Sequence, residues 1–159
     1  MILSNFKAFP RIGRLVGIDW GARRTGIAVT DESREFVFAR APIVLNDAFA
    51  LVRAVVEFVR TEKIAGIVIG LPLRTDGTES ETTVQVREFA NALAGATDVP
   101  IVFVDEALSS SEAQGQMGRV RVREIKEKLD SESARVILEN AIALMKRDSA
   151  PRGIRGVQA

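Results

Sequence analysis

The chain contains no histidine, no cysteine and no tyrosine. Their absence excludes zinc sites of the usual kind, thiolate nucleophiles, imidazole bases, tyrosyl intermediates and disulfides. What remains for chemistry is Asp, Glu, Ser, Thr, Lys and Arg, and oxygen ligands of that sort suit Mg²⁺ or Mn²⁺. Aromatics are also scarce, with one Trp and eight Phe, so Trp20 is the one obvious platform for an unpaired base, and core packing competes for it. Net charge is only +1, which leaves any case for a nucleic-acid partner to local clusters. No apolar run reaches transmembrane length, and Ser4, Asn5 and Lys7 interrupt the N-terminal stretch before it could serve as a signal peptide. A cytoplasmic protein without a membrane partner is the expectation.

With 159 residues, 47% of them hydrophobic, the chain can bury one proper core. The expected division is a single domain over 1–147 and a flexible basic tail over 148–159. Residues 14–31 hold two short apolar runs around a Gly/Arg turn, the pattern of a β-hairpin, and the first run ends on Asp19. Glu35 to Val44 reads as a third strand. Asn46 then suits the N-cap of a helix whose apolar face is Ala48, Leu51, Val52, Val55, Val56 and Val59. Ile64 to Leu71 is a continuous apolar run, as in a strand buried on both faces. Thr78 to Glu81 fits a capping box ahead of a helix with Val86, Phe89, Ala90 and Leu93 in phase. Val99 to Val104 is a further strand, and Ser109 to Glu112 repeats the capping pattern. Residues 115–128 look irregular, and a strong helix starts at Ser131. The order β-β-β-α-β-α-β-α-α implies an α/β fold with one mixed sheet and helices on its faces.

Acids stand where elements end: Asp19, the pair Asp105-Glu106, and Asp130 at the mouth of the last helix. Ligands of open α/β sheets collect outside the carboxyl ends of strands. Asp130 precedes Ala134 by four residues and Ile137 by seven, which places it on the inward helical face, although an N-cap role suits it too. Converging carboxylates repel, and a divalent cation relieves the conflict while supporting phosphodiester hydrolysis. Residues 117–128 add Arg119, Arg121, Arg123, Lys126 and Lys128 against Glu124 and Glu127, a net +3 that suits a phosphate backbone.

The segments Gly17-Ile-Asp19-Trp-Gly21-Ala-Arg-Arg24-Thr-Gly26, Gly70-Leu-Pro72 with Asp76-Gly77, Asp105-Glu106-Ala107-Leu-Ser-Ser and Leu129-Asp130-Ser-Glu-Ser-Ala134 occur in that order. Together they resemble the YqgF nuclease family of Holliday junction resolvases and pre-16S ribosomal RNA nucleases. The resemblance implies an RNase H-like fold with a five-stranded mixed sheet whose first three strands are antiparallel. It also implies a metal-dependent endonuclease acting on structured RNA or branched DNA, as a monomer or homodimer. On it, Asp19, Glu106 and Asp130 become the catalytic and metal-binding acids. Ala107 stands where the family commonly has Arg, and Arg23, Arg24, Arg119, Arg121 and Arg123 are the cations available for nucleic-acid binding. Two other readings compete. A non-catalytic RNA-binding assembly factor would explain Ala107. A sugar-kinase or actin-like ATPase shares the Asp-x-Gly-x-x-x-Thr-Gly hairpin but needs two such domains.

Overall fold

A computed structural model describes residues 1–73, 76–105 and 122–149, and for 122–131, 148 and 149 the backbone alone. The elements are β1 (Ile2–Leu3), β2 (Arg14–Asp19), β3 (Arg24–Thr30), β4 (Val37–Val44), α1 (Ala48–Thr61), β5 (Ile64–Leu71), α2 (Glu81–Ala96), β6 (Ile101–Asp105) and α3 (Val122–Ser149).

One sheet in the order β1-β6-β5-β2-β3-β4 organises them. β2 and β3, and β3 and β4, are antiparallel, whereas β2, β5, β6 and β1 run parallel. The expected five strands are therefore six. The extra one, β1, is only Ile2 and Leu3 paired with Ile101 and Val102, too short to show any periodicity. From β2 the chain moves outward to β3 and β4, then returns to place β5 on β2's other side. The β2–β5 boundary is thus a topological switch point, where α/β sheets form crevices.

Alternation along the strands divides the core in two. Val16, Ile18, Ile27, Val29, Ile67 and Ile69 pack on one face with Leu51, Val55 and Val59 of α1 and Val86, Phe89 and Leu93 of α2. Leu15, Ala28, Val68, Val102 and Val104 pack on the other with Phe9 and with Ala134, Ile137, Leu138 and Ala141 of α3. Small residues let α3 lie close: a Cβ on Gly17 would stand 2.8 Å from the Ala134 carbonyl oxygen and 3.0 Å from Leu138 Cβ.

Three local expectations shift. Asp47, not Asn46, caps α1, its carboxylate accepting from Ala50 N at 2.9 Å. Ser80, not Thr78, caps α2, in a capping box with Thr83. Thr83 Oγ1 also donates to the Pro72 carbonyl, tying the end of β5 to the start of α2. α3 begins at Val122, so Asp130 lies within the helix rather than at its mouth, and its N-cap reading falls. Helix also replaces the irregular chain expected over 122–128. The Ser109 to Glu112 box lies outside the described residues.

Candidate active site

The β2–β3 hairpin sets the site's first residue. Asp19 ends β2, pairs with Gly26 and is half-buried. Gly21 makes the turn possible, because a Cβ there would fall 2.2 Å from the Arg24 carbonyl oxygen. Arg23 is exposed in the turn, and Arg24, half-buried, opens β3 beside Asp19. Trp20 packs against the α1–α2 side of the core, which favours its packing role over base stacking.

Strand alternation then sorts the acids. Leu15 and Gly17 face α3, so Asp19 belongs to the α3 face as well. Asp105 closes β6 opposite Leu71, which packs on the α1–α2 side. Register partners share a face, so Asp19 and Asp105 lie on opposite faces, two strands or about 9–10 Å apart. The structure does not bring those two carboxylates together. Asp76, at the rim beyond β5, is a turn-former: its Oδ1 accepts from Thr78 Oγ1 at 2.7 Å and Thr78 N at 3.0 Å. Those bonds, the hydroxyl's first, hold its carboxyl below the ordinary Asp value.

The course of α3 decides where Asp130 goes. Ala134 crosses β2 at Gly17, and Met145, further along, meets Arg34, whose Nε donates to the Gly13 carbonyl at 2.7 Å. α3 therefore runs antiparallel to β2, and its N-terminal half extends toward the Asp19 end of the sheet. From the crossing, Asp130 is one turn back along α3, about 6 Å, and Asp19 is two residues on along β2, about 7 Å. Both displacements go the same way. Positions 130, 134, 137 and 141 have the spacing of one helical stripe, of which Ala134, Ile137 and Ala141 pack on the sheet.

Among the described residues no three acids form a metal-holding cluster, and Asp19 is the only one of the three candidates whose side chain is described. Glu106, Arg119 and Arg121 lie outside the described residues, and Asp130 and Arg123 contribute backbone alone. The role of Gly17 escaped the sequence reading. Its signal was there, as a lone glycine inside an apolar strand marks a close approach.

A family model described as "RuvX: Holliday junction resolvase" matches residues 13–144. The chain belongs to the RuvX family. A protein of Maridesulfovibrio salexigens named "Putative pre-16S rRNA nuclease" is 38% identical over 132 residues, covering 82% of this chain and 98% of its own. A namesake from Rickettsia canadensis is 30% identical over 153 residues, covering 92% and 99%. Among solved structures, Thermus thermophilus RuvC bound to a Holliday junction matches with TM-score 0.55 at 13% identity, over 84% of this chain and 96% of its own. A fowlpox virus resolvase in complex with Holliday junction DNA gives TM-score 0.50 at 10% identity, over 84% and 99%. At those identities the structural likeness concerns the fold, which is RNase H-like. As a RuvX member the chain is a nuclease, a hydrolase of phosphodiester bonds whose partner is nucleic acid. No helix among the described residues is long and apolar enough to cross a membrane.

Proposed function

We propose that this RuvX protein is a metal-dependent endonuclease that processes the 5′ end of pre-16S ribosomal RNA in the cytoplasm. Asp19, Glu106 and Asp130 would hold Mg²⁺ or Mn²⁺. The observation that carries the reading is the Gly17–Ala134 crossing, which directs α3 back toward Asp19. The donor set fits the ion, since a hard divalent cation takes carboxylate oxygens and the chain has no His or Cys to favour a softer metal. Asp105 lies on the α1–α2 face, away from that of Asp19, which leaves Glu106 as the acid proposed from the end of β6. Bound there, the cation supplies the Lewis acidity that phosphodiester hydrolysis needs. The protein's own part is to hold the acids on rigid elements, a strand end and a packed helix. Arg23 and Arg24, on the turn beside Asp19, would contact the substrate backbone, together with Arg119, Arg121 and Arg123. Residues 1–147 act as one domain, with 148–159 as a tail.

The names of the relatives favour ribosomal RNA, and the family description keeps a branched DNA substrate as the second reading. The test is cleavage of a labelled pre-16S RNA 5′ leader and a four-way DNA junction, with and without Mn²⁺. Asp19→Asn, Glu106→Gln and Asp130→Asn are compared with the unaltered chain. Metal-dependent RNA cleavage that each substitution lowers at least a hundredfold is expected. Preferential cutting of the junction transfers the activity to the DNA reading. Full activity of folded Asp130→Asn refutes the acid set.

A further inference from the structure

A second charged feature lies at the other end of the sheet. There, Lys7, Arg11, Arg34 and Lys146 line a cavity of about 510 Å³, with Glu35 its one acid among the described residues. Arg34 sits in the β3–β4 turn with φ 62°, a left-handed conformation uncommon for a non-glycine residue. That conformation accompanies an inward-turned side chain. Nε donates to Gly13 O at 2.7 Å, and Nη1 lies 3.8 Å from Met145 Sδ. Nη2 is buried with no hydrogen-bond partner. No carboxylate among the described residues pairs with this guanidinium, and burial lowers its pKa from the ordinary Arg value. Leaving a partly buried guanidinium without a counter-charge is costly, and more so at its buried Nη2. α3 points its negative end toward this region, and Lys146 and Arg147 in its last turn offset that pole. Lys7 and Arg11 have no such duty and leave their charge exposed at the cavity.

We propose that this pocket binds a phosphate group of the nucleic-acid backbone, as an anchor separate from the acids. With Nε committed to Gly13 O, Arg34 has its unpartnered Nη2 left for a phosphate oxygen, and Lys7 and Arg11 add charge at the mouth. The pocket adjoins the start of β2, five strand intervals or about 17 Å from Asp19. The choice of a polynucleotide phosphate over a free one rests on the nuclease reading; the anion site itself does not.

The test uses the full chain carrying Asp19→Asn, which keeps RNA intact, with Lys7→Ala/Arg11→Ala and Arg34→Gln added separately. Lys7→Ala/Arg11→Ala touches only exposed side chains and should fold normally. It should weaken binding of a short RNA duplex about tenfold or more and make the salt dependence of log K shallower by about one. Inorganic phosphate should raise the melting temperature saturably, and Arg34→Gln should abolish that rise. Unchanged RNA affinity and salt slope in both folded variants overturn the proposal. A phosphate-dependent rise alongside unchanged RNA affinity overturns the backbone assignment and leaves a free-anion site. If the unaltered chain cuts nothing yet Lys7→Ala/Arg11→Ala still loses RNA affinity, the catalytic reading fails and the anchor stands.

Discussion

Gly17→Ala should lower stability and cleavage together, through one contact. The new Cβ would lie 2.8 Å from the Ala134 carbonyl oxygen, a backbone atom that cannot swing aside, and 3.0 Å from Leu138 Cβ. Ordinary contact begins near 3.4 Å, so α3 must lift by the difference, about 0.6 Å. Overpacking of this kind costs about 1–3 kcal/mol, of which the smaller unfolded-chain entropy of Ala recovers about 0.4–1 kcal/mol. Each net kcal/mol should lower Tm by about 2–4 °C in a chain of this length. The lifted helix is the one that carries Asp130. Since a misplacement of about 1 Å can cost about a hundredfold in rate, a tenfold loss of kcat is a fair expectation. Gly66→Ala is the control. Its Cβ would meet Phe9 Cζ at 2.4 Å and Leu15 Cδ2 at 2.9 Å, buried side chains at the end of β2 away from Asp19. Urea unfolding gives both stabilities, and Mn²⁺-dependent cleavage at a temperature where both variants are folded gives the rates. Gly66→Ala should lose stability and keep its rate. If Gly17→Ala cleaves as fast per folded molecule as Gly66→Ala, the coupling of α3 to the acids is refuted.

The segment before β2 is integral to the core. Phe9 is 3% exposed and meets Phe6 edge-on at 5.4 Å, so Phe9→Ala should cost about 3–5 kcal/mol in urea unfolding. A loss below about 0.5 kcal/mol would instead mark residues 1–13 as dispensable. Glu62 Oε1 takes Arg40 Nη1 at 3.1 Å and Arg14 Nη2 at 3.2 Å. The Arg40 hydrogen bond, then the charges of Arg40 and Arg14, hold its folded pKa below 4.5. The stabilisation is thus fully present above about pH 4.5 and disappears as pH falls through the lower folded value. Glu62→Gln should cost no more than about 1 kcal/mol at pH 7, as expected of partly exposed pairs. The two chains should converge in stability as pH falls below that folded value, and a gap that stays constant on acidification would show that the pairs do not matter.

Local sequence determined the elements that repeat or punctuate. The apolar runs with their Gly/Arg turn made the β2–β3 hairpin and set Asp19 at a strand end. Helical periodicity named Val86, Phe89, Ala90 and Leu93, all buried in α2. The cap of α2 was read at Thr78, whose spacing to Glu81 fits a capping box, whereas the true cap Ser80 has Thr83 where that pattern has Glu or Gln. A tertiary bond decided between the two, from Thr83 to the Pro72 carbonyl. β1 was invisible for a similar reason, as two residues carry no pattern and their partners lie about a hundred positions away. The site divides along the same line. Composition pointed to a hard cation on carboxylates, and the family resemblance implied Asp19, Glu106 and Asp130 as the acids that hold it. Which face Asp19 takes, why Asp105 is set apart from it, and which way α3 runs depend on sheet register and on the space Gly17 leaves for Ala134. A residue's type and neighbours fix its local conformation, whereas the approach of α3 to β2 is a contact between segments more than a hundred residues apart, settled only when both faces of the sheet are packed.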